Sequence, residues 1–171
     1  MISQRQLRLP LSGLLLVAEV VLTLTSCTRG TTPMNERQLT NFATRYAAAW
    51  SSKNPSGLAA FYSEDGSLTV NAGAPSVGRA AITATARGFM TAFPDMLVKM
   101  DEVRRDGSHA TFRWIWTGTN IGPGGTGKSV RINGYEEWTI GVDGLILESK
   151  GHYDEAEYHR QLQSASPLAD R

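Results

Sequence analysis

Asp154 is the side chain in the sequence that best fits a role in proton transfer. It follows an apolar run ending in His152 and Tyr153, and a short helical segment begins directly after it. A carboxylate at the end of a strand can remove a proton from carbon next to a carbonyl if an apolar pocket raises its pKa and excludes water. Aspartate also serves well as a helix N-cap. The sequence therefore leaves two roles open for Asp154, an acid/base and a cap.

Glu136 is a second carboxylate in an unusual setting. In the segment 130–140, alternate residues share one strand face, and the face that carries Glu136 also carries Trp138 and other apolar residues. Such an acid either points inward with a function or lies at a strand edge. His152 shares a face with Asp154 and is either a pocket imidazole or part of an exposed polar edge.

Several aromatic side chains are candidates for the wall of a binding pocket. Trp114 and Trp116 share one strand face, Trp138 shares the face of Glu136, and Phe89 lies on the apolar face of a helix. Lysines and arginines are scattered, which argues against a nucleic-acid platform. No His, Cys and Asp cluster has the spacing of metal ligands, so we predict no metal site and no cofactor.

The overall composition fits one globular domain. The chain has 171 residues and a formal net charge of +1. This length is enough for one domain but not comfortably for two. The near-zero charge provides no strong field for nucleic acid or for a membrane surface.

The first 34 residues differ in kind from the rest. Arg5 and Arg8 form a basic start, residues 11–24 are mostly apolar, and small residues precede Cys27. This layout predicts a secretory signal peptide over 1–26, a tether over 27–34, a folded domain over 35–162 and a flexible tail over 163–171. The alternative is translation from Met34, which would give a cytoplasmic protein.

The segment Leu24-Thr25-Ser26-Cys27 resembles the lipobox of bacterial lipoproteins. That resemblance implies cleavage before Cys27, attachment of lipid to its thiol, and anchoring to a membrane of the bacterial cell envelope. It also explains a single cysteine in an exported protein, which has no partner for a disulfide.

The periodicity of apolar residues changes along the domain. Spacings of three and four residues predict helices first, and alternation then predicts strands. Predicted helices occupy residues 39–50, 55–62, 79–93 and 155–162; predicted strands occupy 67–71, 96–104, 110–119, 129–140 and 145–153. Helices followed by consecutive hairpins indicate an α+β fold, with an antiparallel sheet curved around about three N-terminal helices.

Residues 122–129, GPGGTGKS, match the phosphate-binding pattern G-x-x-x-x-G-K-[ST]. That pattern binds phosphate only where a helix N-terminus follows the lysine. The next residues alternate and are β-branched, which favours a strand. We therefore interpret this segment as a hairpin loop.

The order of elements resembles the nuclear transport factor 2-like cone fold, with a closer likeness to SnoaL-like polyketide cyclases of the ester cyclase group. The likeness covers residues 39–162. It depends on short motifs in a fixed order: Phe93-Pro94-Asp95, Gly118-Thr119-Asn120 running into Gly122, Thr126-Gly127-Lys128, Asp143-Gly144, and Asp154 with Gln161-Leu162 downstream.

The resemblance implies a cofactor-free cyclase in which Asp154 is the general acid/base for closing a polyketide ring. Glu136 and Tyr46 are similar in position to the buried acid and the oxyanion tyrosine of ketosteroid isomerases. Asn120 stands where many SnoaL-like cyclases have histidine, and asparagine can orient a substrate but cannot shuttle a proton. The isomerases have a base at the end of the first strand. The first predicted strand of this chain ends at Asn71 and has no carboxylate there.

The resemblance also implies a homodimer through the outer sheet face, where Arg113, Arg131 and Glu137 are expected.

The sequence supports two candidate functions. One is a cyclase or isomerase acting on a small apolar or polyketide-like molecule. The other is a non-catalytic envelope lipoprotein that binds a ligand or a protein.

Overall fold

The computed structural model describes residues 34–163. The predicted signal peptide 1–26 and Cys27 lie outside the described residues, as do all of the tether except Met34 and all of the tail except Gln163. The elements follow in the order α1 (Glu36–Trp50), α2 (Pro55–Ala59), β1 (Tyr62–Val70), β2 (Ser76–Val77), α3 (Gly78–Ala92), β3 (Leu97–Asp106), β4 (His109–Thr119), β5 (Ser129–Ile140), β6 (Ile146–Tyr153) and α4 (Glu155–Gln163).

Side-chain caps define where the first two helices begin. Asn35 Oδ1 accepts from the Gln38 backbone N–H at 3.0 Å, and Gln38 Oε1 accepts from the Asn35 N–H at 2.8 Å. This reciprocal pair satisfies two N–H groups that a helix start leaves without partners. Asn54 Oδ1 caps α2 by accepting from the Gly57 N–H at 3.0 Å, and Pro55 stands at the first helical position.

The six strands form one sheet in the order β2-β1-β6-β5-β4-β3. The four long strands pair antiparallel through the hairpins that the sequence predicts, with Gly107 and Gly144 at positive φ in the turns. β1 pairs parallel with β6, so the sheet is mixed. The predicted α+β fold, with helices first and hairpins later, is confirmed.

β1 differs most from its prediction. Residues 64–66, between the predicted helix 55–62 and the predicted strand 67–71, lie inside a nine-residue strand that begins at Tyr62. The register against β6 shifts between Tyr62 and Ser67, so these residues form an irregularity in the ladder. Ser76 and Val77, which lie outside the predicted helices and strands, add a short antiparallel edge strand beside β1.

An aromatic core packs between the helices and the inner sheet face. The predicted apolar face of α1 is buried, including Tyr46 with no exposed surface. Its ring lies edge-on to Phe112 and Trp138, with centroids 5.6 Å and 5.0 Å away. Phe112 and Trp138 stack on one another at 4.7 Å. This cluster joins α1 to β4 and β5.

The glycine-rich segment between β4 and β5 is a loop followed by a strand, as predicted. Most of its backbone N–H groups are used within the protein. Thr126 donates to Asn120 Oδ1 at 2.8 Å, and Gly127 donates to the Asn120 carbonyl at 2.8 Å. Gly125 donates to the Gly122 carbonyl. These amides are therefore not available to cradle a phosphate.

Gln161 holds the last helix against β5 with two hydrogen bonds. Gln161 Oε1 accepts from the Arg131 N–H at 2.7 Å, and Gln161 Nε2 donates to the Arg131 carbonyl at 3.0 Å. Tyr158 also stacks on Trp116, with centroids 5.8 Å apart.

In the part of the chain that the structure describes, no helix is long and apolar enough to cross a membrane.

We predict that Gly134→Ala lowers the free energy of unfolding by about 1–3 kcal/mol, because it overpacks a filled site. A Cβ at Gly134 would overlap ring atoms of Trp114 and lie 2.6 Å from the His152 carbonyl oxygen. Gly88→Ala is the matched control, since a Cβ there meets nothing within 4 Å and the position is helical. It should raise the free energy by about 0.5–1 kcal/mol. Urea denaturation of both variants measures this, and equal effects would contradict the packing argument.

Candidate functional site

Glu136 is a buried carboxyl group held by three donors. Its side chain is 5% exposed. Oε2 accepts hydrogen bonds from Tyr46 Oη at 2.8 Å, Trp138 Nε1 at 2.9 Å and Ser149 Oγ at 2.6 Å. These donors come from α1, β5 and β6. Oε1 has no hydrogen-bond partner among residues 34–163.

The proton positions in this network follow from the number of donors. Tyr46 has one hydroxyl proton, which it donates to Glu136. The hydroxyl groups of Tyr46 and Tyr62 are 2.6 Å apart, so Tyr62 must be the donor in that pair. Oε2 already accepts three hydrogen bonds, so the proton of a neutral Glu136 lies on Oε1. Oε1 is therefore a donor when Glu136 is protonated and an acceptor when it is ionised.

Burial sets the electrostatics of this group. Removal from water raises the pKa of Glu136 above its usual value, and the hydrogen bonds from Ser149, Trp138 and Tyr46 partly oppose that rise. Burial and the nearby carboxylate also raise the pKa of Tyr46. Burial, with a smaller effect from Glu136, raises the pKa of Tyr62 in the same direction. Both tyrosines therefore stay protonated as hydrogen-bond donors.

Glu136 lines a cavity between the inner sheet face and the helices. The space open to the centre of a water-sized sphere is about 60 Å³. One water needs ~10–15 Å³ by such a measure, so several waters or a small ligand group fit. The other residues of the lining are apolar, except that Tyr153 carries a hydroxyl group. They are Trp50, Leu68, Val70, Phe89, Met96, Val98, Trp114, Trp116, Gly151 and Tyr153.

Two glycines on the inner face lie beside residues that line the cavity. Trp114 pairs with Gly134 across β4 and β5, and its ring lies over that glycine. Glu136 pairs with Gly151 across β5 and β6, and Gly151 lines the cavity next to it. A side chain at Gly151 would lie against Glu136, and one at Gly134 would overlap the Trp114 ring.

Two cavity-lining tryptophans have unsatisfied polar atoms. The Nε1 atoms of Trp114 and Trp116 are buried and have no hydrogen-bond partner in the described chain. A buried donor without a partner costs about 1–3 kcal/mol, so such groups in native proteins are usually satisfied by water or ligand. Trp50 also lines the cavity, but its indole N–H is not among these unsatisfied atoms.

The structure places Asp154 at a helix start and not at the cavity. Asp154 is exposed, and its Oδ1 accepts from the Glu157 backbone N–H at 2.9 Å. Its carbonyl accepts from the Tyr158 N–H. This is N-cap geometry for α4, the second of the two roles that the sequence leaves open. Asp154 is not among the residues that line the cavity.

Two other predicted binding residues also lie away from the cavity. His152 stacks on Tyr135, which is adjacent on β5, with ring centroids 4.8 Å apart. Its Nε2 lies 3.3 Å from Glu137 Oε2, but without hydrogen-bond geometry. Strand alternation puts His152 on the face opposite Gly151 and Tyr153. Asn120 uses its Nδ2 on the Ala92 carbonyl and its Oδ1 on the glycine-rich loop.

The remaining predicted residues are brought together. Trp114, Trp116 and Phe89 line the cavity beside Glu136, while Tyr46 and Trp138 lie behind it as hydrogen-bond donors. Sequence reasoning missed Tyr62 and Ser149, which complete the network. Ser149 shares a strand face with Gly151 and Tyr153, and that inward alternation was the available signal.

Asn71 directly follows β1, in the region where ketosteroid isomerases have a base and this sequence has no carboxylate. Its φ of +48° lies in the left-handed region, which asparagine tolerates. Its Oδ1 accepts from the Tyr153 N–H at 2.9 Å, which joins β1 to the end of β6.

Among residues 34–163, no three His, Cys, Asp or Glu side chains are grouped so that they could hold a metal ion.

We predict that Glu136→Gln keeps the three hydrogen bonds, since an amide oxygen can replace Oε2, and that it removes the titration. Because burial raises the pKa in the folded state, wild type loses stability relative to this variant as pH rises from about 4.5 through that raised pKa. The loss is about 1.4 kcal/mol for each unit of the rise. Urea denaturation at pH 4–9 measures the difference, and a difference independent of pH would contradict this account.

Glu136→Ala is the contrasting variant. It leaves the donors of Tyr46, Trp138 and Ser149 buried without an acceptor. At about 1–3 kcal/mol for each donor, the loss should reach several kcal/mol at every pH.

Known structures share this architecture at low sequence identity. A hypothetical protein with a ketosteroid isomerase-like fold from Catenulispora acidiphila, in complex with trimethylamine, is 21% identical, with a TM-score of 0.65 over 72% of this chain and 93% of that one. A proposed SnoaL-like polyketide cyclase from Jannaschia is 13% identical, with a TM-score of 0.61 over 74% and 94%. TerC, co-crystallised with polyporic acid, is 15% identical, with a TM-score of 0.62 over 73% and 98%.

These likenesses establish the nuclear transport factor 2 and ketosteroid isomerase-like fold. A search of curated proteins finds no match to the sequence. The SnoaL-like domain family matches residues 43–149, from within α1 to within β6. The chain therefore belongs to the SnoaL-like domain family.

Proposed function

We propose that the protein is an exported, lipid-anchored SnoaL-like domain that binds a small, mostly apolar molecule in its cavity and transfers a proton through Glu136. The observation that carries the proposal is the asymmetry of this carboxyl group. Three donors hold Oε2, whereas Oε1 has no partner among residues 34–163, and the cavity lining within those residues carries no other charged side chain.

This setting suits acid–base chemistry on a carbonyl compound. A carboxylate in an apolar cavity, with its pKa raised by burial, is a stronger base than one in water. It can take a proton from carbon next to a carbonyl and return it to another atom, as a cyclase or isomerase requires. Tyr46, Trp138 and Ser149 fix its orientation, and Tyr62 holds Tyr46.

The surroundings of the two acids favour Glu136 over Asp154 for this role. Asp154 is exposed to water and is used as an N-cap. Glu136 is buried against the ligand space. We therefore assign Asp154 to holding α4 and assign the proton transfer to Glu136.

Related proteins support a small-molecule function. One neighbour was crystallised with trimethylamine and another with polyporic acid, and a third is a proposed polyketide cyclase. The SnoaL-like family assignment covers the strands that carry Glu136 and both cavity tryptophans of β4. A polyketide-like molecule with carbonyl groups is the substrate class that we propose.

A non-catalytic ligand-binding lipoprotein is the second candidate. It is favoured by the cavity lining, because among the described residues that form it only Glu136 has a carboxyl group and only Tyr153 a hydroxyl group. A ring closure that needs a separate acid and base would require a further group.

The homodimer through the outer sheet face stays a prediction. On that face, Arg113 contacts the Tyr135 ring, with the guanidinium carbon 5.7 Å from the ring centroid.

We predict that the protein catalyses exchange of the acidic C–H proton of ethyl 2-methylacetoacetate in D₂O, and that Glu136→Gln lowers the catalysed rate by about 10²–10⁴-fold. Asp154→Asn is the control and should stay close to wild type, because the exposed cap touches no ligand. NMR of the C–H signal gives the rates. Loss of exchange in Asp154→Asn alone would return the role to Asp154. Binding without exchange in wild type would support the ligand-binding candidate.

We further predict that a labelled fatty acid is incorporated into the protein in a bacterial host and that Cys27→Ala abolishes the incorporation. The reason is the lipobox-like segment after a basic and an apolar stretch. In cell fractionation, we expect wild type in the membrane fraction and Cys27→Ala in a soluble fraction. Absence of label in wild type, or label that persists in Cys27→Ala, would exclude the anchor.

A further inference from the structure

We infer that the domain rests on the surface of a phospholipid bilayer through the end of its sheet that carries the β3–β4 and β5–β6 turns, with Val142 and Leu147 in contact with the lipid. This end is called the turn end below. The inference rests on the lipid anchor at Cys27 that we propose, and it adds an orientation of the domain to that anchor. It also sets the side from which a ligand reaches the cavity.

The described chain begins at the turn end. Arg105 Nη1 donates a hydrogen bond to the Met34 carbonyl, and Arg105 Nε donates to the Gly107 carbonyl in the β3–β4 turn. In the same turn, the Ser108 carbonyl accepts from the N–H of Ile140, the last residue of β5, at 3.0 Å. These contacts place Met34, which directly follows the tether, beside the β3–β4 turn and the end of β5.

Exposed apolar side chains flank the β5–β6 turn. Val142 is 83% exposed, and Leu147 is 46% exposed. The two lie on either side of Gly141, where an added Cβ would come within 3.3 Å of Leu147 Cδ2. An apolar side chain at the tip of a turn is stabilised when it leaves water, and a bilayer interface allows this without any pocket in a partner.

The charges at the turn end do not favour anionic lipid. Arg37 and Arg104 lie there with Glu36, Asp106 and Asp143. Because both signs are present close together, they create no strong field that would attract lipid phosphates. The contact that we infer is therefore apolar, and we expect salt to change it little, because screening acts on charges.

The length of the tether excludes docking through the opposite end of the sheet. That end also exposes apolar side chains, Leu97 at 51% and Ile121 at 59%. Six residues separate Cys27 from Met34, and an extended chain keeps the two within about 25 Å of each other. The ten-residue strand β3 spans about 30 Å between the two ends of the sheet. Contact through Leu97 or Ile121 would lift Met34 farther from the bilayer than this tether reaches.

The cavity lies towards the end away from the bilayer in this orientation. Its lining includes Trp50, Val70 and Tyr153, which are the last residues of α1, β1 and β6. Helix α1 begins next to Met34, and β1 and β6 run parallel from the pair Tyr62 and Ile146 near the β5–β6 turn. All three elements therefore end away from the turn end. We expect the ligand to enter from the aqueous side and not from the lipid.

The test places nitroxide labels on the mature lipidated chain in vesicles of phosphatidylethanolamine and phosphatidylglycerol. Cys27 is the one cysteine of the sequence, so an introduced cysteine is the sole free thiol once lipid occupies Cys27. Val142→Cys labels the turn end, and Ile121→Cys is the matched control, an exposed apolar residue at the opposite end. Power-saturation EPR compares collisions of each label with oxygen, which concentrates in the bilayer, and with a water-soluble nickel chelate. We expect a several-fold higher oxygen-to-nickel ratio at position 142 than at position 121, at low and at high salt.

A second measurement uses wild type and needs no label on the protein. In nanodiscs that contain a gadolinium-chelating lipid, methyl NMR signals close to the bilayer are broadened. The signals of Val142 and Leu147 should broaden strongly, whereas those of Leu97 and Ile121 should stay sharp.

The outcomes separate this inference from the function that we propose. Equal accessibility of the two labels in a chain that carries lipid, or stronger broadening at Ile121 than at Val142, would overturn the orientation and leave the anchor in place. A ratio that falls to the control value at high salt would overturn the apolar contact. Absence of fatty acid on Cys27 would remove the anchor and this inference with it, while proton exchange through Glu136 would be unaffected.

Discussion

The burial of one carboxyl group governs how the core of this protein is built. Moving an unpaired carboxylate out of water costs several kcal/mol, and the cost is offset only by well-placed hydrogen bonds. Glu136 obtains three, to Tyr46, Trp138 and Ser149, through a single oxygen. Helix α1 and strands β5 and β6 must therefore meet in one register. Tyr62 adds β1 to the same network through Tyr46.

In the function that we propose, the same constraint separates a structural role from a chemical role within one side chain. Oε2 is held by the fold, and Oε1 is the oxygen assigned to the chemistry. Because the two oxygens belong to one titrating group, stability and chemistry are linked through its pKa, which burial raises. A site of this kind gains reactivity from the same desolvation that makes it costly to fold.

The short motifs that carry the family resemblance mainly hold the end of α3 in place. Asp95 accepts from the Thr119 N–H at 2.7 Å, and this bond lowers the pKa of Asp95. Asn120 and Gly122 both donate to the Ala92 carbonyl. A Cβ at Gly122 would overlap the Thr91 carbonyl oxygen. Motif matches of this kind identify the fold strongly, but the atoms they fix lie outside the cavity.

Local pattern determined much of the architecture. Helix caps, the alternation of β4, β5 and β6, and the glycine turns are short-range features, so the sequence predicted the elements within a few residues. It also put Glu136 on the apolar strand face that the structure buries. The parallel pairing of β1 with β6 and the irregular start of β1 escaped prediction, because they depend on a strand about 80 residues away.

Only the tertiary structure decided which side chains meet. The hydrogen bond between Tyr46 and Glu136 joins residues 90 positions apart, and no periodicity encodes such a contact. The sequence leaves both the cap and the base open for Asp154, since the choice depends on what lies opposite its carboxylate. The fold surrounds that carboxylate with water and a helix N-terminus, and it gives the apolar cavity to Glu136. Sequence thus determined the elements and their faces, whereas long-range packing determined the environment of each acid.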